Sequence, residues 1–330
     1  RVSDGSCSVQ KNENDKKIKL AAVVGPTASG KTALSVELAR RFSGEVVSCD
    51  SMQVYSELKI ATARPDDKEM RGVAHHLLGY VSLDEEYSVA RYVEDATAAV
   101  KDITSRGKLP VLCGGTGLYY TSFVDSVGFS PAAGDEAVRQ KYREIAEGEN
   151  GRERLLGMLS SVDPKTAAKL HPNDTGRIIR ALEVYELTGV TQSEYARLSR
   201  TGESRYDLCV IGLRYPDRAV LYDRINRRVD KMIKDGLLGE VESVISSGKF
   251  GKTASQAIGV KEFLPYFKGE ATLDECTEIL KRNTRRYAKR QMTWFNRDER
   301  ICWIDVKGDT DFEKISEKAE KIMEKFVSVC

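Results

Sequence analysis

IKLAAVVGPTASGKTALSVELARRF, residues 18–42, predicts a strand, a glycine-rich turn and a helix in direct succession. The initial apolar run is typical of a buried parallel strand. GPTASGKT at 25–32 matches the phosphate-binding pattern G-x-x-x-x-G-K-[ST], and Leu34, Leu38 and Phe42 then recur on one helical face. This order predicts a P-loop, in which backbone N–H groups and a helix N-terminus bind phosphate oxygens.

The P-loop predicts a di- or triphosphate ligand. Its glycines let the backbone curl around phosphate oxygens, Lys31 supplies a positive charge, and Thr32 supplies a hydroxyl for Mg²⁺. Most loops of this kind bind ATP or GTP, so the pattern alone favours a nucleotide. The predicted phosphate-binding residues are Gly25, Pro26, Thr27, Ala28, Ser29, Gly30, Lys31 and Thr32, with Thr32 as the metal ligand.

The rest of the chain alternates between strand and helix patterns near both ends and is helical in the middle. Further strands are predicted at 45–50, 109–114, 206–213 and 300–305, and helices at about 88–106, 217–235, 238–247, 272–296 and 311–327. The predicted fold class is α/β, a P-loop-containing parallel-sheet core with a helical insertion domain. The predicted boundaries are 1–17 for a disordered tail, 18–122 and 204–330 for the catalytic core, and 123–203 for the insertion.

Composition excludes several classes of protein. No apolar run approaches the ~20 residues of a membrane-spanning helix, and the polar first 17 residues do not resemble a secretory signal. The net charge of +2 is too small for nucleic-acid binding through bulk charge, so such binding needs a local patch. Seven scattered cysteines favour a reduced, cytoplasmic setting. His75 and His76 are adjacent and face different directions, so we interpret them as structural rather than as zinc ligands.

Polar residues follow two further predicted strands. Asp50 ends the strand EVVSCD and is interpreted as a general base or a Mg²⁺ ligand, although an aspartate there also suits a turn cap. Ser51 and Gln53 carry donors and acceptors suited to a nucleobase edge, or form an ordinary polar loop. Thr116 lies in the turn GGTG and directs its hydroxyl toward the same crevice, unless the turn is only a tight connection.

A cationic face is predicted on the helix KRNTRRYAKRQMTWF, residues 281–295. Such a face fits a nucleic-acid phosphate backbone, or is a solvated surface. We call it the basic stripe, and its members are Arg282, Arg285, Arg286, Lys289 and Arg290. On the preceding helical segment LYDRINRRVDKMI, at least one of Arg224, Arg227 and Arg228 is predicted to reach the P-loop, because a guanidinium grips diphosphate oxygens well.

Taken together, these segments resemble the tRNA dimethylallyltransferases, also called isopentenyl-tRNA transferases. The similarity covers about residues 20–305, and the sequence carries no C-terminal zinc finger of the kind found in many eukaryotic relatives, so it resembles the bacterial type. The matching motifs are, in order, GPTASGKT, DSMQVY, HHL, GGTGLYY, HPND with RALEVYELTG, AIGVKE and TRRYAKRQMTWF.

The resemblance implies a prenyltransferase. It moves a dimethylallyl group from dimethylallyl diphosphate to N6 of the adenosine on the 3′ side of the anticodon in tRNA. Asp50 matches the residue that takes the amine proton, and Thr116 matches a substrate-contacting threonine. Lys31, Arg224 and Mg²⁺ are expected to stabilise the departing diphosphate. A cytoplasmic monomer whose partners are tRNA and the diphosphate donor is expected.

The resemblance also implies where tRNA binds. The helical insertion is expected to grip the anticodon loop, whose unpaired bases are accessible and whose target adenosine must flip out of the stack. The implied tRNA-binding residues are Asp50, Ser51, Met52, Gln53, Thr116, Arg139, Gly176, Arg177, Ile178, Ile179, Arg180, Gln256, Ala257, Ile258, Gly259, Val260, Lys261, Thr284, Arg285, Arg286, Tyr287, Ala288, Lys289, Arg290 and Gln291.

Three other functions fit some of these motifs. An isopentenyltransferase acting on free AMP, ADP or ATP needs the P-loop but neither the basic stripe nor the HPND segment. A P-loop kinase or ATPase needs a metal-binding acid after a second strand, whereas the strand at 109–114 ends in GGTG. A non-enzymatic RNA-binding module leaves the P-loop without a role.

Overall fold

The structure is a computed structural model that describes residues 17–126, 134–199, 204–248, 251, 254–308 and 312–328. The predicted disordered tail lies outside this range apart from Lys17. The chain divides into two compact units. One unit extends to Tyr120 and resumes at Arg205, and the other spans Thr121–Ser204. No helix among the described residues is long and apolar enough to cross a bilayer.

The first unit is built on a parallel sheet of six strands in the order β3-β2-β4-β1-β5-β6. Five of these strands were predicted from the sequence, and the α/β class with its parallel sheet is confirmed. The sixth, β3, was missed, because two residues are too few to show an alternating pattern. The strands are β1 (Ile18–Val24), β2 (Gly44–Ser48), β3 (His75–His76), β4 (Leu109–Gly114), β5 (Tyr206–Arg214) and β6 (Ile301–Asp305).

Helices cover the strands of this sheet. In this unit the helices are α1 (Lys31–Arg41), α2 (Asp67–Met70), α3 (Val89–Ser105), α4 (Gly117–Val124, which continues into the second unit), α10 (Arg218–Lys234), α11 (Leu237–Ser246), α12 (Leu264–Phe267), α13 (Leu273–Phe295) and α14 (Phe312–Ser328). The six longest were predicted from the sequence with bounds within about two residues, since apolar periodicity defines long amphipathic helices well, whereas the shorter α2, α4 and α12 were not predicted.

The second unit is helical throughout its described part, as expected for residues 135–200. Leu155, Leu159 and Ile178 are fully buried at its centre. The carboxylate of Glu183 is also buried, and it accepts charged hydrogen bonds from Arg139 at 2.8 Å and Arg180 at 2.6 Å. The helices are α5 (Glu136–Glu147), α6 (Gly151–Val162), α7 (Pro164–Ala167), α8 (Thr175–Thr188) and α9 (Gln192–Ser199).

Strand β1 lies at the centre of the sheet and is buried along most of its length. Leu34 and Leu38 of α1 are fully buried beside it, as the periodicity predicted, and Ala319 and Met323 of α14 complete this core. Burying a leucine side chain stabilises a fold by about 1.5–3 kcal/mol. Strand, P-loop and helix are therefore held rigidly by apolar contacts behind the loop.

A charged cluster around the buried carboxylate of Glu45 closes the amino end of β2. Glu45 accepts two hydrogen bonds from Arg106, at 2.6 and 2.8 Å, and a third from Lys108 at 2.7 Å. His76 of β3 lies 2.7 Å from the same carboxylate, so the short edge strand is fastened here. Hydrogen bonds from Arg106, aided by those from Lys108 and His76, hold the pKa of Glu45 well below its usual range despite burial.

We expect Glu45→Gln to lower the free energy of unfolding by roughly 2 kcal/mol at pH 7, because charge-assisted hydrogen bonds are lost. A depressed folded-state pKa stabilises above the unfolded value, so the difference from wild type should shrink as the pH falls below 4.5. Urea unfolding at several pH values measures it, with the exposed Glu317→Gln as control. A difference that is constant between pH 7 and pH 3 would contradict the assignment.

Candidate functional site

The P-loop joins β1 to α1 in a conformation that requires glycine. Gly25 has φ of +142°, and a Cβ there would lie 2.6 Å from the carbonyl oxygen of Leu213 on β5. Gly30, with φ of +90°, precedes the first turn of α1. The Lys31 ammonium donates a hydrogen bond to the Pro26 carbonyl at 2.6 Å. The lysine is thereby folded back over the loop, where an anion bound by the backbone N–H groups would meet it.

Two arginines of α10 reach the P-loop, one turn apart. Arg224 Nε donates to the Ala28 carbonyl at 2.9 Å, and Arg228 Nη1 donates to Thr27 Oγ1 at 3.4 Å. Arg227 instead forms an exposed ion pair with Asp223. The prediction that at least one of these three arginines reaches the P-loop is therefore confirmed for two of them, and Arg228 joins Arg224, the one expected to stabilise the diphosphate. Their i, i+4 spacing was the available signal, because such residues share a helix face.

These cations line a cavity of about 870 Å³ in front of the P-loop. Desolvation lowers the pKa of Lys31 to about 8. Burial also lowers the pKa of Arg228, which as an arginine remains charged. Positive charge gathered at low hydration favours a multiply charged anion. The lining includes Ser29, Gly30, Lys31, Thr32, Arg224 and Arg228.

Asp50 lies at the carboxyl end of β2, in an Asx turn. Its Oδ1 accepts hydrogen bonds from the backbone N–H of Met52 at 2.9 Å and Gln53 at 3.3 Å. Oδ2 has no hydrogen-bond partner among the residues that the structure describes. The backbone thus orients the carboxylate through one oxygen and leaves the other for a substrate proton.

Thr116 secures the loop that follows Asp50. Its Oγ1 accepts a hydrogen bond from Ser51 N at 3.1 Å and donates one toward Ser51 Oγ at 3.4 Å. Its own N–H donates to the Cys49 carbonyl at 3.2 Å. Thr116 therefore holds the residues on both sides of Asp50, and its contact with substrate stays a prediction.

A second cavity, of about 260 Å³, opens onto Asp50. Among the described residues that line it, Asp50 is the one acid. Arg228 and Met232 line both this cavity and the larger one, so the two share a wall. An anion at the P-loop and an acceptor beside Asp50 would therefore be neighbours.

The structure brings many of the predicted tRNA-binding residues to this second cavity. Gln53 is not among the lining residues, and its Nε2 donates hydrogen bonds to the Thr62 and Ala63 carbonyls at 3.2 and 3.3 Å. The candidates that line it are Asp50, Ser51, Met52, Gln256, Ile258, Lys261, Thr284, Tyr287 and Arg290.

Other predicted residues lie elsewhere. Five of them are buried, either on α13 or in the segment before it: Ala257, Gly259, Val260, Ala288 and Gln291. Six candidates lie in the helical unit, where Ile178 and Ile179 belong to its core: Arg139, Gly176, Arg177, Ile178, Ile179 and Arg180.

The basic stripe has two parts. Arg285 donates to Asn226 Oδ1 at 2.6 Å, and Arg290 stands over the Tyr287 ring at the smaller cavity. Arg282, Arg286 and Lys289 are exposed and form no ion pair with another described residue. The stripe is thus a mixture of internal braces and unneutralised surface cations.

A divalent metal would depend on its ligand for most of its coordination. The described residues include no group of three or more histidine, cysteine or acidic side chains that could hold an ion. Thr32 does line the larger cavity next to Lys31. Mg²⁺ commonly binds through one protein oxygen, phosphate oxygens and water, so a single hydroxyl suits it in the presence of a diphosphate.

The chain is similar to known proteins over most of its length. A model of the IPP transferase family matches residues 53–298. The tRNA dimethylallyltransferase of Caldanaerobacter subterraneus subsp. tengcongensis is 47% identical over 91% of this chain and 96% of its own length. The tRNA isopentenylpyrophosphate transferase of Bacillus halodurans superposes with a TM-score of 0.70 at 44% identity, over 94% of this chain and 97% of that one.

A eukaryotic dimethylallyltransferase acting on tRNA superposes with a TM-score of 0.76 at 32% identity, over 94% of this chain and 79% of that one. Similarity over more than nine tenths of this chain to bacterial and eukaryotic enzymes, together with the family match over most of the sequence, settles the relationship. This chain belongs to the IPP transferase family.

Proposed function

We propose that this chain is a tRNA dimethylallyltransferase, which transfers the dimethylallyl group of dimethylallyl diphosphate to N6 of the adenosine 3′-adjacent to the anticodon. The observation that carries the proposal is the wall shared by two cavities, one cationic and one opening onto Asp50. A diphosphate leaving group and an amine nucleophile need such neighbouring sites. The names of the similar enzymes support the same reaction.

The cationic cavity would hold the diphosphate. As the bond between the allylic carbon and oxygen breaks, negative charge grows on the departing oxygens. The P-loop N–H groups, Lys31, Arg224 and Arg228 are already fixed around that position, so they stabilise the charge without reorganising. Mg²⁺ held by Thr32 and the diphosphate would supply further neutralisation of the leaving group.

Asp50 would act on the acceptor. The exocyclic amine of adenine is a weak nucleophile, because its lone pair is delocalised into the ring. Its nitrogen forms a bond to the allylic carbon while the diphosphate leaves, and one N–H proton passes to Oδ2 of Asp50. Oδ1 stays bound to the backbone, which keeps the carboxylate aimed at the cavity.

The RNA would meet the cationic surface around this cavity. Arg282, Arg286 and Lys289 are available for backbone phosphates, and Arg290, Lys261 and Gln256 line the mouth where a flipped adenosine enters. We also propose that the helical unit contributes anticodon-loop contacts, with exposed Arg177 as a candidate. A tRNA substrate places the reaction in the cytoplasm.

The reaction is tested with an unmodified anticodon stem-loop and radiolabelled dimethylallyl diphosphate. We expect Asp50→Asn to lower kcat by roughly 10²–10⁴-fold, because the amide keeps the turn but accepts no proton. Binding of the donor should remain close to wild type. Label in N6-dimethylallyladenosine after nuclease digestion is the readout.

A wild-type protein that leaves the adenosine unmodified would overturn the proposed function. Retention of the wild-type rate by Asp50→Asn would instead remove Asp50 from the chemistry. Competition between the stem-loop and AMP or ATP distinguishes a tRNA enzyme from one acting on free nucleotides.

Lys31 should make donor binding depend on pH. Its pKa of about 8 means that the free site begins to lose charge above pH 8, whereas a bound diphosphate favours the protonated amine. We expect the Kd of dimethylallyl diphosphate to be constant below that pH and to rise about tenfold per pH unit above it. Calorimetry in buffers of different ionisation enthalpy should show proton uptake. Lys31→Met should bind more weakly and lack this rise, and an unchanged profile in Lys31→Met would contradict the assignment.

A further inference from the structure

The side-chain amide of Gln291 is buried between two loops of the site. The side chain belongs to α13, and the residue is 4% exposed. Its Oε1 accepts a hydrogen bond from the Thr27 N–H of the P-loop at 2.8 Å. Its Nε2 donates to the Gly115 carbonyl of the GGTG turn at 3.0 Å. Both ends of the amide are therefore engaged by backbone groups.

The fit around this amide is close. A Cβ at Gly115 would lie 2.1 Å from Nε2 of Gln291 and 3.4 Å from the Gly25 carbonyl oxygen. One helical turn earlier, the Tyr287 hydroxyl faces the side chains of Thr116 and Gln291. The absence of a side chain at residue 115 is thus what lets the amide stand between the two loops.

We propose that Gln291 is a positioning residue and not a tRNA contact. It sets the distance between the P-loop, which is assigned to the donor, and the GGTG turn, which holds the residues beside Asp50. From Gly115 the connection continues through Thr116 to Cys49 and Ser51, the neighbours of Asp50. At the other end of the connection, the Thr27 hydroxyl accepts a hydrogen bond from the Arg228 guanidinium. The inference rests on the proposed function, since it assigns these loops to donor and base.

An amide is suited to this bridge because it offers one acceptor and one donor at opposite positions. An ionised glutamate has the same shape but only acceptors. In Gln291→Glu, at a pH at which the glutamate is ionised, the Thr27 bond survives, while a carboxylate oxygen faces the Gly115 carbonyl and repels it. Methionine at this position would make neither bond. Substitutions here therefore change the loop spacing in graded ways without touching solvent-exposed groups.

Single-turnover kinetics with saturating stem-loop and donor test the inference. We expect Gln291→Glu to lower the chemical rate by roughly 10–100-fold, since displacements of about 1 Å have such effects, with the RNA KM within about threefold of wild type. Gly115→Ala approaches the bridge from the opposite side and should give the same separation of rate from KM. Arg286→Gln, an exposed cation on the same helix, should instead raise the RNA KM.

Amide hydrogen exchange supplies a readout that does not require the reaction. Residues 25–30 and 114–117 should exchange faster in Gln291→Met than in wild type, while the core strand β1 stays protected. A raised RNA KM with an unchanged single-turnover rate in Gln291→Glu would overturn the proposal in favour of an RNA contact. If the variants lose thermal stability, but Gln291→Glu keeps the wild-type rate and Gln291→Met keeps the wild-type loop exchange, Gln291 acts only through packing and the proposal is overturned. If the wild-type protein shows no prenylation activity, the proposed function is wrong. The exchange result still tests whether Gln291 holds the two loops together.

Discussion

The parallel register of β1 with its two neighbours is the constraint on which the site depends. Val24, the last residue of β1, lies opposite Gly114 of β4 and Gly212 of β5. Because parallel strands end at the same edge, the P-loop, the turn holding Asp50 and the GGTG turn emerge side by side. The glycines next to Val24 let the P-loop lie against its neighbours, so that three short connections form one continuous surface.

The two cavities of this surface differ in their lining. The larger one gathers most of the cations, including Lys31, Arg224 and Arg228, whereas the smaller one combines Asp50 and a few cations with an apolar wall that includes Ile225, Val229 and Leu280. On the proposed function, a diphosphate leaving group and a nucleobase would need these different environments. Backbone hydrogen bonds to Oδ1 keep Asp50 from rotating toward the cations, even though Lys31 and Arg228 attract it. On the proposed function, a carboxylate that is fixed in this way would be available as a base.

The sequence predicted the features that local patterns encode, and these include β1, the P-loop and α1. It missed β3, because two residues carry no periodicity and the strand exists only through pairing of Val46 and Val47 with the histidines. It also assigned Gln291 to a run of tRNA contacts by resemblance, whereas the structure places that side chain inside. The two partners of this side chain lie 264 and 176 positions away in the sequence, and contacts at such separations leave no local pattern.

Helix α13 contributes both to the loops of the site and to the cationic surface. Residues 284, 287, 288 and 291 face inward, and residues 282, 286, 289 and 293 face outward, as a period of 3.6 requires. Through Gln291 the inward face bridges the P-loop and the GGTG turn, and the outward face presents the unneutralised cations Arg282, Arg286 and Lys289. The capping box of Thr272 and Glu275 and the packing against α10 make this helix a rigid body. On the proposed function, an RNA bound to the outer face would be held in a fixed relation to the loops proposed to carry the leaving group and the base, so that binding energy gained far from the reacting atoms would orient the adenine for attack.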